Sequence, residues 1–160
     1  ELRYKQAAAS VGQCELMHIY DKFFLDYSQV VGQILITKSD IVEPERRQKV
    51  EDTFEALFEV DAIPVVNEND TISVTELMFT DNDELSGLIA TMMDVDALII
   101  LSNIDGIYDG DPNDESSSVI RKIKSSQNLN QYIQTKKSSL GRGGMMTKTR
   151  IARKVAKEGI

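Results

Sequence analysis

"AIPVVNENDTISVTELMFTDNDELSGL", residues 62–88, runs from an apolar stretch directly into a cluster of amides and carboxylates. In "AIPVVN" (62–67) the residues Ile63, Val65 and Val66 put apolar side chains on both faces of an extended chain, as in a strand buried within a helix-covered parallel sheet. Asn67, Glu68, Asn69 and Asp70 follow at once, and Asp81, Asn82 and Asp83 stand before the next apolar segment. Open sheets of this kind bind ligands just beyond the carboxyl ends of their strands. A polar cluster at that position reads as a site.

The neighbouring segments support the same architecture. "QVVGQILIT" (29–37) and "ALIILS" (97–102) are further strands, apolar throughout. The spacing predicts a helix over 42–59, where Val50, Phe54, Leu57 and Phe58 recur at i, i+4, i+7 and i+8. Residues 4–27 read as one or two helices, 82–94 as a helix, 125–135 as a helix and 144–158 as a last one. Residues 71–79 form a small excursion or hairpin, 103–118 a loop dense in Asp and Gly, and 136–142 a polar connection. Strands alternating with helices predict an α/β fold with a mainly parallel sheet.

The chain has 160 residues, the size of one domain, with 41% hydrophobic and 28% charged residues, an ordinary globular composition. No apolar run approaches the roughly 20 residues of a membrane helix, and the N-terminus carries no apolar signal core. The single cysteine, Cys14, excludes an intrachain disulfide and suits the reducing cytoplasm. Residues 1–135 hold 10 Lys and Arg against 25 Asp and Glu, while residues 136–160 hold 8 against one. An acidic body does not favour nucleic acid, whereas the basic tail suits either a phosphate or a solvated helix face. The chain opens inside a helical pattern and closes on "KEGI" (157–160), so a domain incomplete at both ends is expected.

Three stretches carry candidate chemistry. In "TDNDELSG" (80–87), Thr80 and Asp83 have capping-box spacing, and acids in a first helical turn favour the dipole. Asp81, Asn82 and Asp83 together with Asn67, Asn69 and Asp70 also suit recognition of an ammonium group and organisation of a cation. "SNIDGIYDGDPNDE" (102–115) contains Asp109-x-Asp111-x-Asn113, but position six is Asp114 instead of Gly and position twelve is Ile120 instead of Glu. That fails as a calcium loop and leaves a turn-rich or nucleotide-contacting loop. In "GRGGMMTKTR" (141–150) the glycines expose N–H groups before a helix, where anions are favoured, with Lys148 one turn in. Thr147 stands where a P-loop would need Gly, so this is a different glycine–lysine cradle. Cys14 and His18, spaced i, i+4, are two ligands at most and make no metal site.

"AAASVGQCELM", "QILIT", "IPVVNENDTISVTEL", "DNDELSGL", "LIILSNIDGIYDGDP" and "GRGGMMTKTRIARKVAKEGI", in this order, resemble the glutamate 5-kinase group of the amino acid kinase family over nearly the whole chain. The resemblance implies a three-layer αβα sandwich, residues 1–160 forming a single domain. It implies transfer of the γ-phosphoryl of ATP, with Mg2+, to the side-chain carboxylate of L-glutamate, the first step of proline biosynthesis. Lys148 and Asp83 would be catalytic, the lysine neutralising the phosphoryl group and the aspartate organising the lysine. Asp70, Asn82, Asn67 and Asp81 would hold glutamate. Ser102, Asn103, Arg142, Gly143, Gly144, Met145, Met146, Thr147 and Lys148 would contact ATP. A cytoplasmic homo-oligomer inhibited by proline, with no nucleic-acid or membrane partner, is also implied.

The family's first strand with its second lysine, its substrate-binding glycine loop, and the RNA-binding-like C-terminal domain of many members have no counterpart here. Asn103 stands where Asp is usual and Arg142 where Thr is usual. The alternatives are the kinase half of a fused pyrroline-5-carboxylate synthase, a family member acting on another acid, and a non-catalytic amino-acid-sensing module. Only ten residues separate Asp70 from Asp81, without the insertion that fused synthases usually carry.

Overall fold

A computed structural model of the chain describes residues 1–73, 79, 81–111, 113–124, 127 and 145–160. They fall into two compact units, Glu1–Phe79 and Thr80–Ile160.

The first unit is built on two parallel strands, β1 (Val30–Ile36) and β2 (Ala62–Glu68), in register from Val30 opposite Ala62 to Ile36 opposite Glu68. Parallel neighbours need a crossover, and helices α2 (Lys38–Val42) and α3 (Pro44–Glu59) supply it. The long α1 (Leu2–Leu25) packs against β1, and α3 against β2. Ile34, Ile36, Ile41, Phe54, Ala62 and Phe79 form the core. Gly32 lets α3 approach β1: a Cβ there would lie 2.6 Å from Leu57 Cδ2.

The helix expected over 42–59 is α3, which starts two residues later, at Pro44, and a short separate helix, α2, precedes it. Pro44 begins α3 at a position where its missing N–H costs nothing, and it forces Glu43 into an extended conformation (φ −81°, ψ 119°) that ends α2. Helix α2 is stapled by Asp40, whose carboxylate accepts from the Thr37 backbone N–H at 2.7 Å and from the Thr37 hydroxyl. Helix α1 is continuous but buries no residue; Val11, Phe23 and Leu25 are largely exposed, and Met17 and Phe24 half-buried.

In the second unit, α4 (Asn82–Met92) packs on α5 (Met145–Lys157) around Ala90, Ile151 and Val155. Gly87 makes this approach possible, because a Cβ there would stand 2.4 Å from Ile151 Cγ2. Thr91 donates its hydroxyl to Glu158 at 2.6 Å, tying the far ends of the two helices. Helix α4 stops with Asp94 in the left-handed region (φ 47°), Val95 N–H bonding Ala90 C=O and Asp94 N–H bonding Thr91 C=O, the paired bonds of a Schellman ending.

The segment 97–102 joins no ladder among the described residues, and Ile99 and Leu101 are more than four-fifths exposed. Its composition is that of a buried strand, but a strand exists only against a neighbour. The loop after it closes through a bridge between Tyr108 and Val119. The expected helix 125–135, connection 136–142 and most of the excursion 71–79 fall largely or wholly outside the described residues. Among the described residues no helix is long and apolar enough to cross a membrane.

Candidate active site

Helices α4 and α5 place a lysine and a carboxylate together. Asp83 lies in the first turn of α4 and Lys148 in the first turn of α5. Lys148 Nζ donates to both oxygens of Asp83 at 2.8 Å, with both side chains mostly shielded from solvent (23% and 15% exposed). A bidentate pair of this kind fixes the ammonium in position.

Asp83 is not the cap of its helix. The N-cap is Asp81, whose Oδ1 accepts from the Glu84 backbone N–H at 2.9 Å. The cap is thus one residue later than the capping-box spacing of Thr80 with Asp83 suggested; Thr80 itself lies outside the described residues. Asp81 Oδ2 is buried and has no hydrogen-bond partner among the described residues. Asn82, the first residue of α4, is exposed.

Beside the ion pair lies a cavity of about 400 Å³ whose lining includes Ser102, Asp105, Gly106, Met145, Lys148 and Thr149. It joins the loop after segment 97–102 to the start of α5. Thr149 is buried, and its hydroxyl is unpartnered among the described residues. Asn103 and Met146 are exposed and Thr147 half-buried. The expected ATP contacts Arg142, Gly143 and Gly144 lie outside the described residues.

The first unit holds the other half of the opening cluster. A cavity of about 220 Å³ lies between α1 and the end of β2, lined by Gly12, Gln13, Leu35, Asn67, Asp70 and Thr71 among others. Asn67 donates from Nδ2 to Gln13 Oε1 at 3.2 Å and accepts at Oδ1 from the Glu68 backbone N–H at 2.9 Å. Gln13 Nε2 in turn donates to Gln33 Oε1 at 3.3 Å. Glu68 is buried at the strand end and accepts from the Ser73 hydroxyl and the Phe79 backbone N–H, both at 3.2 Å. It braces the turn that carries Asp70, which is exposed at the cavity.

Asn67 and Asp70 thus share one cavity, Asp83 meets Lys148, and Ser102 shares a second cavity with Met145 and Lys148. Three contributors escaped the sequence reading: Gln13, Gln33 and Thr149. Glu68 stood in the polar cluster singled out from the sequence, but its bracing of the turn is seen only in the structure.

Chemically, the second unit offers a fixed ammonium at two helix N-termini beside a cavity, which suits a charged phosphoryl group. The first offers amide donors and a carboxylate, which suit a zwitterion.

The profile of the amino acid kinase family matches residues 1–160. The chain is 56% identical over 156 residues to a glutamate 5-kinase of Bacteroides thetaiotaomicron, covering 98% of this chain and 43% of that protein. It is 46% identical over 157 residues to a glutamate 5-kinase of Chlorobaculum tepidum, with 98% and 43% covered. A third, from Clostridium perfringens, is 45% identical over 166 residues, with 99% and 61% covered. The chain therefore spans between 43% and 61% of the length of these relatives.

Proposed function

The chain belongs to the amino acid kinase family, and from that premise we propose that the protein carrying it is a glutamate 5-kinase. It transfers the γ-phosphoryl group of ATP to the side-chain carboxylate of L-glutamate, giving L-glutamyl 5-phosphate for proline biosynthesis. The observation that carries this reading is the Asp83–Lys148 pair, held at 2.8 Å beside the 400 Å³ cavity.

Phosphoryl transfer depends on positioning and electrostatics more than on covalent chemistry of the protein. A glutamate side chain, ionised above about pH 4.3, is already a nucleophile and needs no general base. Lys148 neutralises charge on the transferring group, and Asp83 holds the ammonium where that charge develops. ATP occupies the cavity at Ser102, with Asn103 and the segment from Arg142 through Gly143, Gly144, Met145 and Met146 to Thr147 around its phosphates. Glutamate is held by Asn67, Asp70, Asp81 and Asn82, the exposed Asp70 carboxylate facing its ammonium.

The buried Oδ2 of Asp81, without a hydrogen-bond partner among the described residues, fits a positively charged ligand group or cation. Mg2+ carried largely by ATP phosphates needs only one or two protein carboxylates, and it would supply further charge neutralisation at the phosphates. The same reading takes residues 1–160 as one domain of a three-layer αβα sandwich, in a cytoplasmic homo-oligomer inhibited by proline.

The test is formation of glutamyl hydroxamate from ATP, glutamate and hydroxylamine by the full-length protein. Product dependent on both ATP and glutamate supports the reading. Glutamate binding without product would mark a sensing module, and product only with another carboxylic acid would move the protein elsewhere in its family.

A further inference from the structure

The hydrogen bonds around Asn67 run in one direction. The Glu68 backbone N–H can only donate, so it fixes Asn67 Oδ1 as the acceptor at 2.9 Å. That turns Asn67 Nδ2 toward Gln13 Oε1 at 3.2 Å, and so turns Gln13 Nε2 toward Gln33 Oε1 at 3.3 Å. A side-chain amide has two donors and one acceptor oxygen. Asn67 therefore keeps one Nδ2 hydrogen that has no partner among the described residues. Both Asn67 and Gln13 line the 220 Å³ cavity, with Asp70 beside them.

We propose that Gln13 is a positioning residue for substrate: from helix α1 it holds the Asn67 amide in the orientation that offers its free N–H to a carboxylate of the amino acid in this cavity. The inference rests on the glutamate kinase reading and extends it to a residue 54 positions from Asn67 in the chain. Gln13 touches Asn67 rather than the reacting atoms, and no nucleotide-facing residue takes part in the amide chain. Its loss is accordingly felt in glutamate binding and not in ATP binding. Gln33, exposed on β1, anchors the outer end and contributes less.

Steady-state kinetics of the full-length protein decide this with Gln13→Leu, Asn67→Ala, the double variant and Gln33→Leu. For Gln13→Leu the glutamate KM rises roughly tenfold, as expected for one neutral hydrogen bond at the upper end of its range. kcat stays within about twofold and the ATP KM is unchanged. In the Asn67→Ala background the Gln13→Leu change adds less than about twofold, because the two act as one unit. Gln33→Leu raises the glutamate KM in the same direction by about two- to threefold; it carries the test alone if Gln13→Leu does not fold.

An unchanged glutamate KM, fully multiplicative effects in the double variant, or equal loss in kcat and both KM values with a lower Tm would each overturn the inference. A wild-type protein without glutamate-dependent ATP turnover sinks this inference and the kinase reading together. An active wild type indifferent to Gln13 sinks the inference alone.

Discussion

Lys148 and Asp83, 65 residues apart in the chain, meet with the lysine Nζ 2.8 Å from each carboxylate oxygen. Each stands in the first turn of its own helix, and the two helices are locked by the fit of Ile151 against Gly87. The distance between the two charged groups is set by helix packing, and the charges and the packing can each be altered by their own substitutions.

Asp83→Asn separates capping from catalysis. Asp81 caps α4, so Asp83→Asn should shift Tm by only a few degrees, the size expected for about 1 kcal/mol. Turnover should fall by about 10²-fold or more, because a misplaced lysine no longer meets the developing charge. Lys148→Ala should cost a similar factor, and the double variant little more than either alone. Melting curves and kcat on the same preparations check this; an active, folded Asp83→Asn protein would remove the pair from the mechanism.

Asp70→Asn keeps the shape of the side chain and deletes its charge at the 220 Å³ cavity. Glutamate binding should weaken by roughly 1.5–3 kcal/mol, the range for hydrogen bonds to charged groups, with ATP affinity unchanged. Calorimetric titration with each ligand separates the two, and equal losses would indicate a folding defect instead.

Gly87→Ala tests the helix contact. Alanine gains about 1 kcal/mol of helix propensity over glycine, but its Cβ would stand 2.4 Å from Ile151 Cγ2. Ile151 is β-branched on a helix and buried, with one strongly preferred rotamer, so overpacking at about 1–3 kcal/mol should win. Urea unfolding should show net destabilisation. Ile151→Ala should then cost less in the Gly87→Ala background than in the wild type, because it relieves the clash.

Asp40 gives the first unit a pH dependence of known sign. Burial works to raise its carboxyl, but the Thr37 hydroxyl and backbone N–H and the Arg46 guanidinium outweigh it and hold the pKa below its usual value. A lowered folded-state pKa means the unfolded chain binds the proton more readily. The stabilisation is fully present above the unfolded value of about 3.9 and is lost as pH falls through the lowered folded value. Thr37→Val, which removes one of the bonds, should flatten that acid limb of stability against pH while leaving the slope above about pH 5 unaltered. Denaturant unfolding across that range reads it directly.

The polar cluster after 62–67 could be read as a candidate site because its position beyond a strand follows from chain order and local composition. The strands at 30–36 and 62–68 and the helices at 82–92 and 145–157 lie within two residues of their sequence boundaries, since periodicity and propensity act over a few residues. Pro44 also carried its own signal, starting the helix expected over 42–59 at residue 44 and ending α2 before it, for a reason internal to the residue. These features were determined by the sequence itself. Tertiary structure decided what depends on partners distant in the chain. Segment 97–102 has strand composition but no ladder among the described residues, because backbone pairing requires a second chain segment. Capping-box spacing paired Thr80 with Asp83, but the bond from Glu84 N–H makes Asp81 the cap, while Asp83 pairs with Lys148. Gln13 looked like an ordinary polar position on a helix until folding set it against Asn67. A side-chain hydrogen bond needs two groups within about 3 Å, and no pattern in either segment alone specifies where the other will be.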